Sequence, residues 1–266
     1  MFVDSHCHLS FPELRGNIAE IRAAMQQSRV DRALCICTTM EEFEVVHRLA
    51  MSYDDFWCSV GVHPDSEGVR EPLFQELLEL AAKPRVVAIG ETGLDYFRLG
   101  SRSHSDMEWQ RERFRTHIRA ALHCGLPLVV HTRNAASDTL DVLGQEGGRR
   151  ATGVFHCFTE GLAVARGALD LGFYISFSGI LTFKNATQVR EVARFVPLDR
   201  CLIETDSPYL APMPYRGKVN NPSYVVHVAQ KLAELKQLSL DSVAESTSRN
   251  FERLFTRTGT PPQGPP

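Results

Sequence analysis

The chain has 266 residues, of which 43% are hydrophobic and 23% are charged, and its formal net charge is -3. This composition excludes a disordered acidic or basic tail protein, a collagen-like chain and a small disulfide-stapled scaffold. The length suits one large α/β barrel or two smaller domains. Because the charges nearly balance, any polyanionic partner would have to be held locally, by a metal or a few arginines.

The targeting and redox features of the sequence predict a cytoplasmic protein without membrane contact. No run reaches the roughly 18 apolar residues that a membrane helix needs, and residues 1–4 do not begin a basic and apolar leader. The 7 cysteines are an odd number, none forms a C-x-x-C pair, and most lie in apolar runs. Thiols of this kind behave as small hydrophobes in a reducing compartment.

Short β-branched or apolar runs alternate along the chain with longer amphipathic stretches, which predicts alternating strands and helices. The predicted strands cover residues 2–4, 33–37, 57–62, 86–90, 128–131, 153–156, 174–178 and 201–204. The helices predicted between them cover residues 18–28, 40–51, 73–82, 107–124, 135–146, 161–171 and 186–195. Two further helices are predicted after the last strand, at 222–235 and 240–254.

The segment 107–124 shows the helical pattern most clearly. Phe114 and Ile118 recur at four-residue spacing on one face, while charged residues occupy the opposite face. Gly125 then favours a helix end. By contrast, residues 128–130 form a continuous apolar run, which is typical of a strand covered on both faces.

Eight strands that alternate with helices favour a closed parallel barrel over an open sheet. The runner-up is a doubly wound sheet, but no G-x-G-x-x-G motif follows any predicted strand. We therefore predict an α/β fold of the (β/α)8 TIM-barrel type with extra C-terminal helices. Residues 1–256 are predicted to form a single domain, and the proline-rich residues 257–266 are predicted to be a disordered tail.

Ionisable residues are concentrated where the predicted strands end. In a parallel barrel the carboxyl ends of all strands meet on one face, where binding sites form. The residues at these ends are His6, His8, Glu91, His131, His156 and Asp206. Singly, each has an ordinary explanation: a core histidine for His131, a carboxylate at a helix N-terminus for Glu91, and a turn residue for Asp206.

The combination of these residues indicates a metal site. Grouping so many ionisable side chains without a cation would cost several kcal/mol of hydration for each unpaired charge. Residues i and i+2 of an extended segment point the same way, so His6 and His8 can reach one ion, whereas Cys7 points toward the helices in a structural role. Glu91 can bridge two ions, and His131 and His156 can hold the second.

The ligand types and their number predict hydrolytic chemistry. Imidazole and carboxylate ligands suit zinc, manganese or iron, while magnesium usually prefers oxygen. Two ions about 3.5–4 Å apart would polarise a phosphoryl oxygen and lower the pKa of a shared water. Asp206 can ligate one ion and accept the proton of that water.

Six motifs follow predicted strands and match a known family in combination. They are Asp4-Ser5-His6-Cys7-His8-Leu9, Gly61-Val62-His63-Pro64, Gly90-Glu91-Thr92-Gly93-Leu94-Asp95, His131-Thr132-Arg133, His156-Cys157-Phe158 and Glu204-Thr205-Asp206-Ser207-Pro208-Tyr209-Leu210. With these motifs the sequence resembles the TatD-type deoxyribonucleases of the amidohydrolase superfamily, from residue 2 to about residue 255. Gln110, Phe114 and Asn250 also match.

The resemblance implies a deformed (β/α)8 barrel and a hydrolase with two divalent metal ions. Magnesium or manganese would support turnover, and zinc would sometimes be bound. The implied activity is 3′–5′ exonuclease action on DNA, at single-stranded or frayed 3′ ends, through a water that bridges the ions. By position, His6, His8, Glu91 and Asp206 resemble ligands of the first ion, and Glu91, His131 and His156 ligands of the second.

Other positions carry implied substrate contacts or depart from the family pattern. His63, Arg133 and Glu204 match pocket positions that contact phosphate or a metal-bound water. Asn221 replaces an acidic residue of the family, and the loop 96–104 is either a phosphate contact or a solvated loop. Four aromatic residues near the mouth could stack bases or pack the rim: Tyr96, Phe97, Phe158 and Tyr209.

Two alternatives to a nuclease stay open on the sequence alone. The same chemistry could act on another ester, an amide, a lactone, a small phosphoester or an aminoacyl-RNA ester, because the fold does not decide the substrate. A non-catalytic metal-binding protein is the second alternative, which the complete ligand set disfavours. The oligomeric state is open, and a monomer is compatible with the sequence.

Overall fold

A computed structural model describes residues 1–258 of the chain and confirms the predicted barrel. Eight parallel strands form one sheet in the order β1 to β8, with helices between them. This order is that of a barrel in which each strand neighbours the next strand of the sequence. The strands are β1 (Phe2–Cys7), β2 (Val30–Cys35), β3 (Phe56–Val60), β4 (Val86–Asp95), β5 (Leu128–Arg133), β6 (Gly153–Phe155), β7 (Tyr174–Phe177) and β8 (Cys201–Ile203).

The helices lie outside the sheet, and most of them bury one apolar face. They are α1 (Pro12–Arg15), α2 (Ile18–Gln27), α3 (Phe43–Ser52), α4 (Phe74–Ala81), α5 (Glu108–Cys124), α6 (Ala136–Glu146), α7 (Leu162–Asp170), α8 (Thr187–Phe195), α9 (Val225–Lys236) and α10 (Leu240–Leu254). The described residues include no helix that is both long enough and apolar enough to cross a membrane.

The barrel closes between β1 and β8 through a short seam beyond the end of β8. The backbone N–H of His8 donates to Ser207 O at 2.8 Å, and that of Asp206 donates to His6 O at 2.9 Å. The buried Asp4 carboxylate accepts bonds from the backbone and the hydroxyl of Thr205. These bonds join the two ends of the sheet directly beneath the predicted metal ligands.

Two apolar clusters hold the barrel together. The larger cluster fills the space between the sheet and the helices and includes the fully buried Cys7, as predicted. The smaller cluster joins alternate strand residues such as Val87 and Val129 to Phe251 and Phe255, at the end of α10. Because neighbouring residues of a strand point to opposite faces, this second cluster lies inside the barrel, and α10 closes its amino end. The opposite end is left for a site.

The two largest boundary differences from the sequence prediction concern β1 and β4, and one short helix is not predicted. β1 runs to Cys7 instead of ending at residue 4, and β4 runs to Asp95 instead of ending at residue 90. In the second case Gly93 and Asp95 pair with residues of β5, which satisfies backbone groups that the polar sequence alone assigns to a loop. α1 is not predicted by periodicity, because it has only four residues.

The first two residues of the predicted tail lie within the described part of the chain. Arg257 and Thr258 end a short 3-10 helix, and Arg257 donates to Ala81 O at 2.7 Å. Residues 259–266 of the predicted tail lie outside the described residues.

Candidate metal centre

A cavity of about 790 Å³ opens at the carboxyl ends of the strands. Most of the predicted site residues line it: His8, His63, Glu91, His131, Arg133, His156 and Asp206. His6 is fully buried beside this wall. The tertiary structure therefore gathers residues that are up to 200 positions apart in the sequence (His6 to Asp206).

One oxygen of Glu91 faces a first cluster of potential ligand atoms. Glu91 Oε2 lies 3.4 Å from His6 Nε2 and 3.9 Å from His8 Nε2. Asp206 Oδ1 lies 3.4 Å and 3.3 Å from the same two nitrogens, which are themselves 3.2 Å apart. Two carboxylate oxygens and two imidazole nitrogens thus point at one small volume.

The other oxygen of Glu91 faces a second cluster. Glu91 Oε1 lies 2.8 Å from His156 Nε2, 3.2 Å from His131 Nδ1 and 3.3 Å from His63 Nε2. His63, which the sequence assigns to the pocket wall, is therefore also a potential ligand, and Glu91, His63 and His131 meet the geometry of a metal-holding group. Glu91 stands between the two clusters, as a bridging carboxylate would.

The spacing and burial of these atoms fit divalent metal ions. Four ligands at about 2.0–2.1 Å from one ion in tetrahedral geometry are separated by about 3.3 Å. In the first cluster, four of the five distances given above lie between 3.2 and 3.4 Å. A cation shared by the facing atoms would stabilise this otherwise costly packing.

Electrostatics keep the carboxylates of the site ionised. Burial alone would raise the pKa of Glu91, but the neighbouring His156, His63 and His6 hold it well below its usual range. Burial also opposes ionisation of Asp206, yet the hydrogen bond with His8 and the charge of His6 lower its pKa. Ionised carboxylates are the form that binds a metal.

An acidic residue outside the ligand clusters, Asp95, orients His131. Asp95 Oδ2 lies 3.0 Å from His131 Nε2, which directs His131 Nδ1 toward Glu91. Gln110 holds Asp95 through two bonds, donating to its backbone O at 3.0 Å and accepting from its N–H at 2.9 Å. A carboxylate that holds the second nitrogen of a histidine in this way sets its tautomer and ring orientation.

Glu204 lies in a different place from the other predicted substrate-contact residues. The sequence places it in the pocket wall, but the structure buries it completely behind His156. Its Oε1 accepts from Cys157 N at 2.7 Å and lies 3.3 Å from His156 Nδ1. β8 ends at Ile203, and Glu204 follows it directly, two residues before Asp206, which lines the cavity. Glu204 can therefore position His156, and it does not line the cavity.

The remaining substrate-contact candidates separate into accessible and buried residues. Arg133 lines the cavity, and its guanidinium lies 3.5 Å from the centre of the Phe97 ring. Tyr209 also lines the cavity and is exposed. Tyr96 and Phe158 are buried and cannot stack a base from solution.

The loop 96–104 is held by ion pairs and reaches the cavity at one point. Arg98 lines the cavity and pairs with Asp65 at 3.5 Å, whereas Arg102 pairs with Glu67 at 2.7 Å. Asn221, where the sequence departs from the family pattern, accepts from Ser223 N at 3.0 Å and starts a short 3-10 helix. Its role here is structural.

Two residues of α5 that the sequence reasoning missed anchor the segment carrying His63. Arg113 donates to His63 O and Ser66 O, both at 2.9 Å. His117 Nε2 accepts from Val62 N at 3.0 Å, and its Nδ1 lies 2.8 Å from Arg113 O. A charged residue and a histidine on the apolar face of a predicted helix are the only signal that could have marked them.

His117 leads to a pH-dependent prediction. Burial lowers its pKa to about 4 from an ordinary value near 6.5. In the unfolded chain this histidine binds a proton below about pH 6.5, whereas in the folded protein it stays neutral down to about pH 4. The free energy of unfolding therefore falls as the pH drops through this window. Each pH unit in this window changes the free energy of unfolding by about 1.4 kcal/mol. Protonation of His117 in the unfolded chain should therefore lower the free energy of unfolding by about 2–3 kcal/mol between pH 6.5 and 4.5.

Denaturant unfolding of the wild type and of His117→Gln across this pH range measures the effect. The variant, which cannot titrate at this position, should lose about 2–3 kcal/mol less than the wild type over the same interval. Parallel pH profiles for the two proteins would show that His117 does not contribute.

A parallel barrel with imidazoles and carboxylates gathered at the carboxyl ends of its strands defines a class of metal-dependent hydrolases. A profile of the family described as TatD related DNase matches residues 3–256, and the chain belongs to this family. It is 44% identical over 257 residues to YcfH of Escherichia coli K12, described as an uncharacterized metal-dependent hydrolase, with 95% of each chain covered. The chain is accordingly a metal-dependent hydrolase.

Two further relatives extend this comparison. A protein of Citrobacter rodentium named 3′-5′ ssDNA/RNA exonuclease TatD is 32% identical over 242 residues, covering 89% of this chain and 90% of its own. The crystal structure of the TatD homolog YJJV from Escherichia coli K12 superposes with a TM-score of 0.87 at 28% identity, covering 96% of this chain and 98% of that one. The barrel and the family are thus shared along nearly the whole chain.

Proposed function

We propose that this protein is a 3′–5′ exonuclease that hydrolyses phosphodiester bonds at single-stranded nucleic acid ends with two divalent metal ions. The observation that carries the proposal is the Glu91 carboxylate, whose two oxygens face two separate ligand clusters at the bottom of one cavity. The similarity to a relative named as a 3′-5′ ssDNA/RNA exonuclease supports the choice of substrate.

The proposed site divides its residues between two ions. His6, His8, Asp206 and one oxygen of Glu91 would hold the first ion, and His131, His156 and the other oxygen of Glu91 would hold the second. His63 stands at hydrogen-bond distance from Glu91 on the cavity side. When bound, such a pair of ions neutralises phosphate charge and lowers the pKa of a water between them.

The protein residues supply proton transfer and orientation in this proposal. Asp206 lines the cavity and is ionised, so its carboxylate can accept a proton from the attacking water. Arg133 and Arg98 line the same cavity and can hold the phosphate of the terminal nucleotide. Asp95 and Glu204 keep His131 and His156 aimed at the site.

The Asp206→Asn substitution tests this assignment. A single-stranded oligonucleotide labelled at its 5′ end, incubated with manganese, should be shortened stepwise by the wild type, with mononucleotides released from the 3′ end. Asp206→Asn should slow this release about 10²- to 10⁴-fold, because the proton acceptor is lost. Asp141→Asn, an exposed carboxylate on α6, is the matched control and should shorten the oligonucleotide at the wild-type rate.

Two results would contradict the proposal in different ways. Hydrolysis of nitrophenyl esters without release of nucleotides would replace nuclease activity by esterase activity. Wild-type rates in Asp206→Asn would remove Asp206 as the proton acceptor while leaving the substrate assignment in place.

A further inference from the structure

The cavity accommodates only the end of a nucleic acid strand. Its volume of about 790 Å³ lies in the range of sites for small molecules, about 300–1,000 Å³. A strand whose terminal nucleotide occupies this cavity must continue over the protein surface. The rest of the strand must therefore leave the cavity across some part of its rim.

Two adjoining surface depressions begin at one side of the rim. Phe11 and Tyr209 line the cavity and also line an adjoining depression of about 430 Å³. This depression shares Ser10, Arg15 and Val45 with the next one, of about 440 Å³. Together the two depressions form a groove that runs from the cavity, across the segment after β1, to the surface of α3; we call it the α3 groove.

The α3 groove contains exposed arginines, the side chains that bind the phosphates of single-stranded nucleic acids. Arg15 and Arg48 are exposed, and neither guanidinium has an ion-pair partner within residues 1–258. Free guanidinium groups along a groove bind a phosphate backbone, and their number sets the dependence of affinity on salt.

Aromatic rings mark the junction between the cavity and the groove. Phe11 stacks on the His8 ring at 4.7 Å between centroids and meets the exposed Tyr209 ring edge-on at 6.3 Å. Rings in this position can stack a base without selecting its sequence. The junction therefore suits a base that has just left the cavity.

Two acidic residues limit where phosphates can lie. Glu42 accepts bonds from the backbone and the hydroxyl of Thr38, which hold its carboxylate in place. Glu13 is exposed and lines the middle of the groove close to Arg15 in sequence. The carboxylate of Glu13 should weaken the binding of a polyanion. Removing this carboxylate should therefore increase the affinity for a polyanion, whereas removing an arginine should decrease it.

We propose that the α3 groove binds the nucleotides that precede the terminal one, with Arg15 and Arg48 contacting their phosphates. This assignment rests on the proposed exonuclease function and adds the path of the strand. It predicts that affinity increases with substrate length and that the increase depends on these two arginines.

The experiment measures the affinity of oligothymidylates of 2, 5, 10 and 15 nucleotides that carry phosphorothioate linkages at the 3′ end. Fluorescence anisotropy with manganese and increasing salt gives the dissociation constant for the wild type and for Arg15→Ala/Arg48→Ala. The double variant should bind the 15-nucleotide strand about tenfold more weakly, with most of the length dependence lost. Its slope of log affinity against log salt should fall by about 1.4, at about 0.7 for each arginine.

Matched variants keep the test independent of folding and of general charge effects. Arg149→Ala/Arg253→Ala removes two exposed arginines, one just before β6 and one on α10, and should retain the wild-type length dependence and salt slope. Glu13→Gln should tighten binding of the 15-nucleotide strand severalfold. Circular dichroism spectra show whether each variant is folded.

The outcomes distinguish a failure of the α3 groove proposal from a failure of the proposed exonuclease function. If Arg15→Ala/Arg48→Ala keeps the wild-type length dependence and salt slope, the proposed role of the α3 groove is wrong. This holds even where the wild type still shortens oligonucleotides. A wild type that neither binds nor shortens any of the oligonucleotides would overturn both the exonuclease proposal and the groove.

Discussion

Replacing Glu91 with glutamine is expected to lower the rate of hydrolysis about thousandfold or more. One Glu91 oxygen faces His6 and His8 while the other faces His131 and His156, at distances between 2.8 and 3.9 Å. An amide offers only one oxygen and carries no charge, so it cannot bridge two cations. A thousandfold loss corresponds to about 4 kcal/mol of transition-state stabilisation.

Metal content distinguishes this mechanism from a general loss of structure. Equilibrium dialysis against manganese or zinc, followed by elemental analysis, should show that Glu91→Gln holds fewer ions than the wild type. Glu112→Gln, an exposed position on α5, serves as the control and should match the wild type in both activity and metal content. Full metal content and full activity in Glu91→Gln would refute the bridging role.

Replacing Gly93 with alanine is expected to lower the free energy of unfolding by about 4 kcal/mol. Gly93 adopts a φ of +132°, which side chains other than glycine rarely adopt. An added Cβ would lie 2.0 Å from the backbone oxygen of His131, its partner in β5. The strands would have to separate at the position that presents His131 to Glu91, so metal affinity should fall as well.

Gly100→Ala separates steric overlap from the cost of the backbone conformation. Gly100 also has a positive φ, +61°, but an added Cβ would have no atom within 4 Å. This control should cost about 1–2 kcal/mol, from the conformation alone. Thermal or denaturant unfolding measures both variants, and equal losses would show that β4 and β5 do not approach closely at Gly93.

The sequence determined the architecture, because strand and helix periodicities are local properties. Eight apolar runs separated by amphipathic segments were sufficient to predict the order of elements and the barrel. The H-x-H pair and the polar residues after strands also identified Glu91 and Asp206 as members of one cluster. That prediction needed only the rule that the carboxyl ends of parallel strands meet on one face.

The exact extent of the strands depended on pairing between distant segments. β4 continues through Gly93 to Asp95 because β5 supplies hydrogen-bond partners for its polar residues. β1 likewise continues to Cys7, where it meets Ser207. Local composition assigns such polar residues to loops, since it contains no information on which backbone groups a neighbouring strand satisfies.

Only the tertiary structure decided the direction of individual side chains, and this direction separates a ligand from a supporting residue. Glu204 and Asp206 are two positions apart, yet one is buried behind His156 and the other lines the cavity. Asp95 and Gln110 support His131 through contacts between β4, β5 and α5. Residue types and spacing predicted which chemistry the chain carries, whereas the packing of non-neighbouring elements determined which atoms face each other.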